Sequence, residues 1–166
     1  MSRIAMAAAA ALALGAGPAL AQRSLPNPLD TPGAVNPAVN QQNIEATICL
    51  PGWAQTVSPP AAFTSTLKRR QLGAWVAYFG NPRRGYEEDH LIPLSLGGAP
   101  ADQRNLWPEP RQSPDGWDAD RKDELERVLH GLVCAGRLPL ALAQRTIARD
   151  WIAAYRQFVI GTELAR

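Results

Sequence analysis

Two cysteines, Cys49 and Cys134, are the only ones in a chain of 166 residues, and they stand far apart. If they pair, everything between them becomes a closed loop whose ends the fold must bring together. Closing so long a loop contributes about 4 kcal/mol by chain-entropy arithmetic, less any strain. The pair is too small and too widely spaced for a zinc knuckle, and in an oxidising compartment it most simply forms one disulfide. Whether it pairs depends on where the chain resides.

The first residues bear on that. Arg3 gives a short positive start, Ile4 to Leu14 is an alanine-rich apolar run, and Gly15-Ala16-Gly17-Pro18 breaks it. Ala19-Leu20-Ala21 then supplies the small-x-small pattern that a signal peptidase accepts before Gln22. The apolar run falls short of the roughly 20 residues of a membrane span. Residues 1–21 are therefore expected to be a signal peptide, with an uncut N-terminal anchor as the alternative. The mature chain is expected to be exported, periplasmic or secreted, and to cross no membrane. It suits one domain, since domains commonly run to roughly 100–150 residues. Of 17 basic and 15 acidic residues, the signal removes only Arg3, leaving 16 against 15, a formal +1. A nucleic-acid-binding field over the whole surface is excluded, and any contact with a polyanion must be local.

Residues 22–43 are rich in Pro and Asn without an apolar period, and predict a disordered leader ahead of a single domain over 44–166. Ile44 to Leu50 is short and β-prone. Thr64 to Gly80 has Leu67, Leu72, Trp75 and Val76 in loose helical spacing, with a basic shoulder at Lys68, Arg69 and Arg70. A helix is predicted from near Asp118 to Cys134, with acidic residues in its first turns, and a last one from about Pro139 to Phe158. Trp75 and Trp151 lie in these helical patterns and read as core.

Between the helices runs YEEDHLIPLSLGGAPADQRNLWPEP, residues 86–110. Tyr86 to Leu96 reads as extended and broken by Pro93, Gly97-Gly98 as a turn, and Asn105-Leu106-Trp107 as a second extended piece closed by Pro108 and Pro110. Asp89 and His90 end the first strand, where neighbours point to opposite faces unless the strand bends. Asn105 has the short polar side chain that holds a loop to its own backbone.

DHLIPLSLGG followed by NLWP and an acidic helix resembles the HNH, or ββα-metal, nucleases over roughly Tyr86 to Cys134, and also a group of small exported bacterial proteins with an HNH-like core. The resemblance implies an α+β fold with a hairpin and helix gripping one divalent ion. It implies His90 as general base, Asp89 as first metal ligand and Asn105 as the residue bracing the loop. The family's last His or Asn is expected early in the helix, where this chain has Pro114 beside Asp115. His130 completes the letters but lies near the helix C-terminus. At about 100° per residue, Leu125, Val128, Leu129 and Leu132 form one stripe, with Asp123, His130 and Cys134 opposite. Asp123 is the candidate remaining ligand, against a plain capping or salt-bridging role, with Asp120 and Glu126 as alternates.

Phosphodiester hydrolysis needs an activated water and relief of charge on the phosphate and leaving oxygen. A neutral histidine near its ordinary pKa of about 6.5 takes a proton from water at neutral pH. Oxygen ligands favour Mg²⁺ or Mn²⁺, and a histidine neighbour also admits Ni²⁺ or Zn²⁺. Arg83, Arg84 and Arg104 flank the hairpin and are candidate phosphate contacts, with solvated surface as the alternative. Trp107 is a candidate for stacking on a base. The expected function is metal-dependent cleavage of DNA or RNA. Its rival is an exported binding or envelope scaffold that retains the fold without turnover.

Overall fold

The computed structural model describes residues 24–74, 78 and 83–161. The signal-peptide expectation and the C-terminal part of the helix expected over 64–80, including Trp75, lie outside these residues. The rest is a mixed α and β domain on a two-stranded antiparallel sheet. Strand β1 (Tyr86–His90) pairs with β2 (Leu106–Pro110), Tyr86 opposite Pro110 and His90 opposite Leu106. Pro108 is tolerated because each strand of a two-stranded sheet is an edge.

Helices enclose this hairpin. After α1 (Trp53–Val57), helix α2 (Ala61–Ala74) packs on both strands. Gln71 of α2 donates to the Leu106 carbonyl, and Lys68 donates to that of Tyr86. Helix α3 (Ala119–Cys134) follows the hairpin close to its expected bounds. Leu125, Leu129 and Val133 of α3 join Leu91, Leu96, Trp107, Ile147 and Trp151 in the main core.

The disulfide is present. Cys49 and Cys134 are joined with their Cα atoms 5.6 Å apart, pinning the end of α3 to the segment after residue 43. That segment is not the expected strand, because among the described residues no strand lies beside it to pair with. Ile44–Ala46 forms a 3₁₀ turn, and Ile44 and Ile48 are buried.

Two further expectations change. Residues 24–43 form no disordered leader: they run as a strap over the loop that joins β1 to β2. Gly33 N–H donates to the Arg104 carbonyl, Asn36 N–H to that of Gly97, and the Trp151 indole N–H to that of Ser24. The last helix is broken. Helix α4 (Leu140–Arg149) stops where Asp150 turns extended, and the Asp150 side chain caps the next helix, α5 (Trp151–Tyr155), by accepting from Ala153 N–H. Trp151 is buried in the core, as its spacing predicts.

Candidate functional site

The loop between the strands is held from inside. Asn105 is fully buried, donates from Nδ2 to the carbonyls of Ile92 (2.9 Å) and Ala99 (3.2 Å), and accepts from Ile92 N–H (2.9 Å). One amide thus closes a fourteen-residue excursion, the bracing expected of it. Both glycines are required. Gly97 has φ of +70°, a left-handed conformation, and a Cβ at Gly98 would lie 1.8 Å from the Ile92 carbonyl oxygen.

His90 ends β1 against this loop. Its Nε2 lies 2.8 Å from the Pro100 carbonyl oxygen. A carbonyl only accepts, so Nε2 carries the hydrogen and a neutral ring keeps its lone pair on Nδ1. Burial lowers the His90 pKa, outweighing the Pro100 bond and the nearby Asp89 charge that raise it. The ring is therefore neutral at neutral pH, the state required of a base.

Strand alternation sends the neighbours of His90 to two sides. Glu88 and His90 face α2; Glu87 and Asp89 face α3, where Trp107 and Glu109 lie directly opposite them. On the α3 side the principal residue is one that sequence reasoning missed. Lys122 is fully buried, and its ammonium donates to Asp89 Oδ2 (2.5 Å), to the His90 carbonyl (2.9 Å) and to Glu126 Oε1. Burial would lower the Lys122 pKa, but Asp89, Glu126 and Glu109 hold it well above the usual range. Burial also pushes Asp89 up, yet the charge and hydrogen bond of Lys122 bring it below its ordinary value. Glu109 adjoins Asp89, and burial raises its pKa well above the ordinary carboxyl value.

Asp123, the expected second ligand, is exposed, and it is Lys122 and Glu126 that turn inward. Partial desolvation and then the Asp89 charge raise the Asp123 pKa, so it shares the field of the site without joining Asp89 in a ligand cluster. Asp115 braces its own loop, accepting from Ser24, from Ser113 and from Trp117 N–H. Among the described residues, the one group of three metal-ligating side chains that come together is Cys49, His130 and Cys134, whose donor atoms lie within 4.8 Å of one another. Its two sulfurs are bonded to each other, and His130 Nε2 lies 2.9 Å from the Ile48 carbonyl oxygen. A divalent ion held by Asp89 and Asp123 does not fit this arrangement, because Lys122 is bonded to Asp89 Oδ2 and Asp123 stands exposed, outside any ligand cluster with Asp89.

The arginines separate. Arg83 and Arg84 are exposed at the start of β1, the end away from His90, about 13 Å of strand distant. Arg104 is beside the site, but its guanidinium is paired with Asp102 at 2.6 Å. Arg70 of α2 bonds Gln103 on the same loop. Trp107 is fully buried and unable to stack on a base.

Comparison of the chain with family models, with curated proteins and with solved structures gave no match. No helix among the described residues is long and apolar enough to cross a membrane.

Proposed function

We propose that the chain is an exported phosphodiester hydrolase of the HNH type, acting on DNA or RNA with His90 as general base. The observation that carries this reading is the His90 ring, neutral and fixed through Nε2 to the Pro100 carbonyl, with Nδ1 left to accept a proton from water. Such a base contributes about 10²–10⁴-fold to a rate. Asn105 supports the reading by holding the loop that positions Pro100. Arg104 and Arg70, on or against that loop, are the local positive charges that an approaching phosphate meets; Arg83 and Arg84 stand exposed ahead of β1, at the far end of the acidic strand. The disulfide supports the exported location.

The family resemblance calls for Mg²⁺ or Mn²⁺, with Ni²⁺ or Zn²⁺ as substitutes, but the carboxylates around Lys122 do not form a ligand set for one. The steps assigned here are therefore those of the chain's own residues: proton acceptance at His90 Nδ1 and phosphate positioning by the loop arginines.

The second reading, an exported scaffold without turnover, is favoured by one observation: the Asp89 oxygen that the family gives to a metal is bonded to Lys122. The test is cleavage of supercoiled plasmid and of a single-stranded RNA by the oxidised protein, in EDTA and with each of the four ions. Hydrolysis is expected, with loss in a folded His90→Ala variant. Failure on both substrates in every condition would overturn the hydrolase and leave the scaffold.

A further inference from the structure

We propose that the Lys122 ammonium is the resident cation of the hairpin–helix cleft, standing where the family resemblance puts a divalent ion. Two observations carry this inference. Lys122 is fully buried, and an ammonium has three N–H bonds to place. The cleft supplies three acceptors: Asp89 Oδ2, Glu126 Oε1 and the His90 carbonyl. Asp89 and Glu126 thus face a cation that the chain itself provides.

The same contacts leave no seat for a second cation. An ion on Asp89 would share a carboxylate with an ammonium already 2.5 Å from Oδ2, and the Glu109 carboxyl adjoins the same side chain. Two cations on one carboxylate repel each other, the more so where one of them is buried. Lys122 cannot withdraw into solvent without breaking all three bonds and leaving the half-buried Glu126 without its partner. The ammonium also acts through the backbone. Its bond to the His90 carbonyl fixes the strand end from which the imidazole projects, which makes Lys122 a positioning residue.

This inference stands apart from the hydrolase reading, because it concerns which cation occupies the cleft. Mn²⁺ binding by the full oxidised chain tests it without reference to activity. Water-proton relaxation and electron paramagnetic resonance titrations through millimolar Mn²⁺ are expected to show no saturable site in the wild type. Its melting temperature is expected to be the same in EDTA as in Mn²⁺. Lys122→Ala removes the ammonium and leaves both carboxylates, and is expected to show a saturable Mn²⁺ site within the same titration and to gain melting temperature from the ion. A saturable wild-type site that disappears in Asp89→Asn would overturn the proposal. A folded Lys122→Ala protein with no gain in Mn²⁺ affinity would do the same. Should Lys122→Ala fail to fold, the wild type compared with Asp89→Asn decides alone. Plasmid or RNA cleavage bears on neither titration, so the two readings fail separately.

Discussion

On the α3 face of the hairpin an ammonium is buried with each of its N–H bonds made; on the α2 face, one strand residue away, a carboxyl is buried with neither oxygen bonded. Lys122 has Asp89, Glu126 and the His90 carbonyl. Among the described residues Glu88 has no hydrogen-bond partner for Oε1 or Oε2. The nearby cations do not close on it: Lys68 donates to the Tyr86 carbonyl, and Arg70 to Gln103. The two groups meet burial in different ways. Lys122 stays charged because its partners outweigh desolvation, whereas burial first, and the negative charge of Asp89 second, push the Glu88 pKa up to about 8, so it holds its proton at neutral pH.

The contrast is broken most forcefully by Lys122→Met. Removing the ammonium strands two carboxylates, and the expected loss is about 3–5 kcal/mol in urea unfolding at pH 7. A loss below about 1 kcal/mol would mean that Asp89 and Glu126 escape to water or take up protons at little cost.

Asn105→Ala strikes the loop that ends both faces. It removes three buried bonds, and a cost of about 2–3 kcal/mol is expected from the backbone groups of Ile92 and Ala99 left unpaired. Calorimetry of the oxidised protein measures it.

Glu88→Gln sharpens the comparison in the opposite direction. A carboxyl raised from 4.5 to about 8 favours the folded state fully below pH 4.5, and that contribution fades as pH rises through about 8. The variant is expected to be about 1–3 kcal/mol more stable than the wild type at pH 8.5, with the difference vanishing near pH 5. A flat difference across that range would show that Glu88 is solvated. The smallest effect is expected from Arg104→Ala: its exposed pair with Asp102 contributes little to stability. Unfolding midpoints are expected to agree within error, while substrate KM rises if the guanidinium meets phosphate.

The hairpin was legible because its punctuation is chemical. Pro93, Gly97, Gly98 and Asn105 each have a conformational or bonding reason to sit where they do, and the structure uses all four. Cys49 with Cys134 was legible for the same reason. Lys122 was not, because helical periodicity counts apolar residues and assigns a lysine to the surface. Yet Lys122, Leu125, Glu126 and Leu129 stand at i, i+3, i+4 and i+7, so the lysine lies on the apolar stripe with an acid one turn on. A charged residue on that stripe, with its counter-charge beside it, was the available signal. The strap over 24–43 left no comparable trace, since its order comes from backbone bonds to distant loops. Asp150 was readable as a cap only once the helix was known to end before it.

The Cys49–Cys134 bond makes residues 49–134 a covalent ring, and the whole hairpin, α1, α2 and α3 lie on it. A protease that cuts the exposed turn at Arg111 and Gln112, between β2 and α3, opens the ring without releasing a fragment. The nicked molecule keeps its mass on a non-reducing gel, and the strand bearing His90 stays tethered to the helix bearing Lys122. One broken peptide bond there leaves the two halves joined through the disulfide, so that the same cleft can re-form.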